Sequence, residues 1–498
     1  MTDLKNKMAK GAAWLVLFKL VERGLGFIST LFLARLLVPA DFGVVAMATS
    51  ILAALELMSM FSFDLALIQN QNAERRHYDT AWTFALMFGT FNALAMCAAA
   101  APAAAFFGEP RVEGLMYALA LSPLIQGFDN IGVVAFQKDL ELHKEFWFGL
   151  AKKLAGFAVT VSLAFVWHNY WALVAGTIAT RVTSLVLSYR LHPFRPKLSL
   201  SAASELFHFS KWMLLNNLLI ILNNRGTDFV IGRMNGARSL GLYSISYELA
   251  NLPTTELVFP ISRAVFPGYA RLAADPDQLR RAFLQVIGLV ALLTIPAGVG
   301  IGLIAEPLVQ ILLGVKWMDA VPLVQVLAIF GVVRSLHGPN GSIYLALGKP
   351  RVVAALQCVQ LLIAITLMIF LVPTFGPIGA AWAILAGACV AMSANYVMIL
   401  RELSLPLSDL GMVVWRPFAG AFVMTATLIA FTNSLWMSGP GVTITAFRLG
   451  SMIALGAASY AVTIIVCWRI AGKPSGTESD LLTIAVSRLG RSFLQKRS

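Results

Sequence analysis

The sequence predicts an all-α membrane protein of about fourteen transmembrane helices: two six-helix lobes related by a parallel repeat, then two further helices. Three observations predict it: composition, the alternation of loop charge, and a repeat at fixed offset. Of 498 residues, 58% are hydrophobic and 13% charged, whereas soluble domains carry about 25% charged residues. A water-soluble fold has nowhere to hide that much apolar side chain. Apolar stretches of about 20 residues, enough to cross a hydrocarbon core, recur between short polar hinges.

The first six spans are expected at 11–38, 43–69, 79–107, 111–137, 145–167 and 170–190. After the polar stretch from Arg190 to Ser204 come 205–234, 238–267, 279–305, 320–347, 351–372 and 377–401, and a final pair at 412–434 and 442–471. An even count puts both termini on one side. Lys5, Lys7, Lys10, Arg75, Arg76, Lys138, Lys144, Arg195, Arg280, Arg281, Lys349, Arg351, Arg401 and Lys473 all fall on that side, against only Arg111, Arg238 and Lys316 opposite. One missed span would scramble this pattern downstream, so the positive-inside rule supports both the count and cytoplasmic termini.

Most of the net charge of +13 is therefore topological, and no nucleic-acid partner is expected. The tail 473–498 places Leu482, Ala485, Leu489 and Phe493 at helical spacing beside Arg488, Arg491 and Lys496, the pattern of an amphipathic helix lying on anionic lipid. Cys97, Cys358, Cys389 and Cys467 stand in apolar segments without metal-ligand or CxxC spacing and read as buried thiols. The sequence lacks GxxxxGK[ST], HExxH and GxSxG, and its longest outward loop, around Leu308 to Asp319, is too short for a catalytic domain. No enzyme activity and no cofactor are expected.

Trp14, Arg35 and Gly43 recur as Trp212, Arg233 and Gly241, and Asp79 as Asp277, each displaced by the same offset. Because six spans separate the copies, both have one orientation, and the repeat axis runs along the membrane normal. The chain then divides into an N-terminal lobe (1–197), a C-terminal lobe (198–404), added spans (405–472) and the tail. A repeat of this kind places substrate near mid-bilayer, reached alternately from each side.

Ionisable groups at bilayer depth face protein or water and mark functional paths. In the first span Lys19, Glu22, Arg23 and Gly26 share one helix face; Glu22 either neutralises Lys19 or Arg23 within the helix or stands beside a cavity. In the seventh span Asn217, Asn224 and Asp228 share a face, with Arg225 adjacent. Amides there either bind sugar or join neighbouring helices. Arg181 and Arg334 are further mid-span cations. Lys19, Arg23, Arg181, Asn217, Asn224, Arg225 and Arg334 are the candidates for a cavity binding an anionic cargo, since Lys and Arg make charge-assisted hydrogen bonds to phosphate oxygens. Glu56, Asp64, Asp228 and Glu248 are candidates for exchanging H+ or Na+. Pro253, Pro260 and Pro267, and Pro296 with Gly298, Gly300 and Gly302, either bend their helices during transport or kink them statically.

The runs Ala34-Arg35-Leu36-Leu37-Val38-Pro39-Ala40-Asp41-Phe42-Gly43, Leu240-Gly241-Leu242-Tyr243-Ser244 and Leu313-Gly314-Val315-Lys316-Trp317 resemble the polysaccharide transporter family. These are Wzx-type oligosaccharide flippases, in the superfamily that also holds multidrug exporters and lipid II flippases. The resemblance covers most of spans one to twelve. It implies a V-shaped pair of lobes in a bacterial inner membrane. It also implies alternating access that moves an undecaprenyl-pyrophosphate-linked repeat unit outward for exopolysaccharide, capsule or lipopolysaccharide, beside a polymerase and export machinery. Cationic cavity residues of that family map onto Lys19, Arg23, Arg225 and Arg334. A multidrug cation antiporter and a membrane-embedded polymerase are the alternatives.

Overall fold

The computed structural model describes residues 2–57, 67–68, 73–139, 141–433 and 441–472. Every regular element among them is helical, as backbone that must satisfy its own hydrogen bonds within lipid requires. The first unit contains α1 (Thr2–Leu36), α2 (Pro39–Leu57), α3 (Arg75–Phe107), α4 (Arg111–Leu119), α5 (Leu121–Gly127), a 3-10 turn (Ile131–Val134), α6 (Ala135–Lys138), α7 (Leu142–Trp167) and α8 (Trp171–Leu191). Helix α9 (Ala203–Leu272) follows, then α10 (Pro276–Leu303), α11 (Ala305–Leu312), α12 (Val321–Ala346), α13 (Pro350–Phe375), α14 (Pro377–Glu402), α15 (Leu407–Asn433) and α16 (Val442–Ile470).

Among the described residues ten helices are long and apolar enough to cross a membrane, and residues 111–127 with 131–138 make an eleventh span bent by 68°. The bend has a local cause. The Asn130 side chain accepts the Gly132 amide at 3.0 Å and donates to the Phe194 carbonyl at 2.7 Å, capping a new turn. The three other expected spans are helical but too polar for the apolar set. The first lies within α1, and the seventh and eighth lie within α9, divided at Gly236 (φ 76°, ψ −176°), a conformation that glycine adopts without steric cost. The structure is thus consistent with fourteen spans.

Two expectations are corrected. The segment around Leu308 to Asp319 is no loop: α11 leads through Gly314 (φ 98°) into a 3-10 turn, Val315–Ala320, that buries Trp317 completely. The cysteines are free but not enclosed: Cys97 is exposed and the other three are half-buried, because they sit on outward faces of apolar helices. The tail 473–498 lies outside the described residues.

Packing gives two compact units, 1–244 and 245–498. In the first, the chain after α8 is strapped to the start of α3. The Lys197 amide donates to Asp79 Oδ1 at 2.9 Å, and the Ser199 amide to Thr83 Oγ1 at 2.9 Å. Residues 198–244 belong to this unit, although the repeat assigns them to its second copy, because the two hairpin starts touch. A Cβ on Gly43 would lie 1.7 Å from the Ala237 carbonyl oxygen, and one on Gly241 1.8 Å from that of Pro39. By the repeat offset Pro39 corresponds to Ala237 and Gly43 to Gly241. The contact is therefore reciprocal, as across a two-fold axis. In the second unit α10 packs on α12 where Gly298 admits Val332. Here α15 and α16 join α10, with the Tyr460 hydroxyl donating to the Leu292 carbonyl at 2.9 Å.

Candidate functional site

Helix α1 meets α7 through aromatic side chains. Phe18 fills the notch at Gly149, where a Cβ would lie 2.5 Å from its ring, and Trp14 packs on Phe146 with centroids 4.8 Å apart. The same stretch of α1 carries Lys19, Glu22 and Arg23. One turn beyond Gly149, α7 carries Lys152 and Lys153. Glu22 consequently lies between two ammonium groups: Lys19 Nζ donates to Oε2 at 2.9 Å, and Lys153 Nζ is 3.3 Å from Oε1.

Two further notches bind α7 to α8. A Cβ on Gly156 would lie 2.0 Å from Thr180 Oγ1, and one on Gly176 1.6 Å from Thr160 Oγ1. Such small-residue contacts let membrane helices approach closely, and here they bring Arg181 alongside α7. Arg181 Nε donates to Ser122 Oγ at 3.1 Å, while its Nη2 is 3.8 Å from Glu56 Oε1. Lys152, its ammonium 4.8 Å from the Phe148 ring centroid, has Asp129, Arg181, Lys153 and Glu22 as charged neighbours. Asp129 Oδ2 accepts the Ser184 hydroxyl at 2.8 Å.

Lys19, Lys152, Lys153 and Arg181 thus share one region of the first unit, with Arg23 on the same face of α1, and among the described residues the carboxylates Glu22, Glu56 and Asp129 stand between them. Among these described residues cations outnumber carboxylates. The side chains stay within reach of a ligand, with Lys19 51%, Lys153 44% and Arg181 31% exposed. Clustered ammonium and guanidinium groups of this kind have the chemistry to hydrogen-bond an anion with several oxygens. Among the described residues no three His, Cys, Asp or Glu side chains converge as metal ligands.

The other expected residues lie elsewhere. Within α9, Arg225 Nη1 is 3.2 Å from Asp228 Oδ2; Asp228 is buried and also accepts the Ser50 hydroxyl at 2.8 Å, a bond that joins α9 to α2. In the second unit Arg334 Nη1 donates to the Tyr247 hydroxyl at 2.7 Å, and Glu248 is exposed on α9. Asp64 and the side chains of Asn217 and Asn224 lie outside the described residues. Lys152 and Lys153 were not expected. Their signal is two lysines inside the otherwise apolar stretch 146–167.

Comparison with known proteins gives a consistent picture. The family described as polysaccharide biosynthesis protein matches residues 32–322. An uncharacterised membrane protein in the cps region of Klebsiella pneumoniae is 25% identical over 93% of this chain and 96% of its own length. The lipopolysaccharide biosynthesis protein WzxC of Escherichia coli K12 is 26% identical over 69% of this chain and 71% of its own. Among solved structures, the lipid II flippase MurJ in an inward closed conformation superposes with a TM-score of 0.72 over 91% of this chain and 98% of its own, at 13% identity; this likeness concerns the fold.

Proposed function

The chain belongs to the polysaccharide biosynthesis protein family, and on that footing we propose that it is a flippase carrying an undecaprenyl-pyrophosphate-linked oligosaccharide from the cytoplasmic to the periplasmic leaflet by alternating access. The observation that carries this reading is the cationic cluster of Lys19, Lys152, Lys153 and Arg181, with Arg23 on the same face of α1, on long helices of the first unit. Charge of that sign costs insertion energy and is offset when it meets a pyrophosphate. A relative named for lipopolysaccharide biosynthesis supports the same class of cargo. Translocation of this kind breaks no covalent bond of the cargo. In this reading Arg225, Arg334, Asn217 and Asn224 remain candidates for contacts to the cargo, and Glu56, Asp64, Asp228 and Glu248 remain candidates for exchanging H+ or Na+.

The test is polymer export in a strain deleted for this gene and complemented with variants. Losing one charge-assisted contact costs about 1.5–3 kcal/mol, so Lys153→Ala and Arg181→Ala should reduce surface polymer at least about tenfold at unchanged membrane level. Full export by both variants would remove the site.

A further inference from the structure

We propose that Glu22 is a resident counter-anion that occupies the cargo's phosphate site when the transporter is empty and is displaced when the cargo loads. The inference rests on the reading of the cargo as a pyrophosphate. Glu22 presents two oxygens from one centre, and each is taken by a different lysine on a different helix: Oε2 by Lys19 of α1 and Oε1 by Lys153 of α7. A phosphate group offers the same pair of oxygens to the same pair of ammonium groups.

The other two carboxylates of the region hold different partners. Glu56 faces the Arg181 guanidinium and Asp129 accepts the Ser184 hydroxyl. Glu22 holds a lysine at each of its oxygens, and a lysine ammonium is a compact point charge on a flexible stem that exchanges partners, unlike the fixed fork of arginine. Both lysines are about half exposed whereas Glu22 is 22% exposed, so an incoming anion meets the ammonium groups from the open side.

A counter-anion of this kind sets a threshold. A singly charged anion gains too little from the two lysines to replace a tethered carboxylate, whose effective concentration is high; a pyrophosphate, with several charges, replaces it. On unloading, Glu22 retakes the lysines and helps to expel the cargo. Glu22 thus selects for multiply charged cargo and opposes trapping of product.

The experiment measures binding of farnesyl pyrophosphate, with farnesol as neutral control, to the full-length protein in phosphatidylcholine nanodiscs. Glu22→Gln is expected to tighten farnesyl pyrophosphate binding about tenfold and to admit inorganic phosphate, leaving farnesol unchanged. Lys153→Gln is expected to weaken pyrophosphate binding. Glu22→Asp keeps the charge but withdraws it from one lysine and should tighten binding by a smaller factor, which carries the test if Glu22→Gln does not fold. Wild-type binding that Lys153→Gln weakens but that neither Glu22 variant tightens would overturn the counter-anion while leaving the cargo reading intact. A wild type that does not bind farnesyl pyrophosphate would overturn both.

Discussion

Arg181 and Glu56 show what a single charge does in this fold. Each side chain is 31% exposed and their nearest atoms are 3.8 Å apart, so solvent moderates the attraction to about 1 kcal/mol. Arg181→Ala should lower the melting temperature of the detergent-solubilised protein, and the double variant Arg181→Ala/Glu56→Gln should recover most of the loss by removing the stranded carboxylate. A double variant no more stable than the single one would show that the pair contributes nothing. His192, just beyond the end of α8, is held below the usual histidine range first by burial and then by the nearby Lys144 charge. The unfolded chain therefore takes up that proton first. Its contribution to stability is complete above the unfolded pKa of about 6.5 and declines as pH falls through it. Melting measured at pH 7.5 and pH 5.5 should show a smaller drop in His192→Gln than in the wild type. The stripe Lys19, Glu22, Arg23 was legible in the sequence because i, i+3 and i+4 define a face. Lys152 and Lys153 were not, because neighbouring helical positions point about 100° apart, and only the placement of α7 between α1 and α8 brings both into one charged region.

Among the elements, the hairpin starts carry the sharpest steric constraint. Gly43 and Gly241 bring backbone against backbone, with Pro39 and Ala237 as the opposing residues. A branched side chain at either position must displace main chain, at a cost of about 1–3 kcal/mol or more. Gly43→Val and Gly241→Val should each lower the melting temperature and the yield of monodisperse protein by comparable amounts, because the contact is reciprocal. Gly24→Ala, where a Cβ meets nothing within 4 Å, is the control. A tolerated Gly43→Val would show that the contact does not persist. The offset that relates Gly43 to Gly241 is written in the sequence. Their adjacency is not, since a repeat specifies which positions are equivalent without specifying which of them touch. The bend after α5 was equally hidden: hydropathy reads 111–137 as one span, while the break depends on Asn130 finding the carbonyls of a segment some sixty residues later.

For the whole molecule, the class of fold was legible and its less apolar parts were the difficulty. The helices at expected spans one, seven and eight are less apolar because they carry the charges and amides; the expectation that they cross the bilayer comes from the alternation of loop charge. That alternation predicts that a C-terminal green fluorescent protein fusion is fluorescent and a C-terminal alkaline phosphatase fusion inactive. The reverse pattern would place the termini outside and invert the direction of transport. The reciprocal contact between residues 39–43 and 237–241 also bears on ancestry. Two copies of a chain half as long, inserted in parallel, could make the same contact as a symmetric dimer, with residue 39 of each copy against residue 43 of the other. Joining two such copies in one chain would add no new interface and would make the partner permanent. The two positions differ in this respect: Asp79 is buried against the strap while Asp277, its counterpart by the repeat offset, stands 77% exposed.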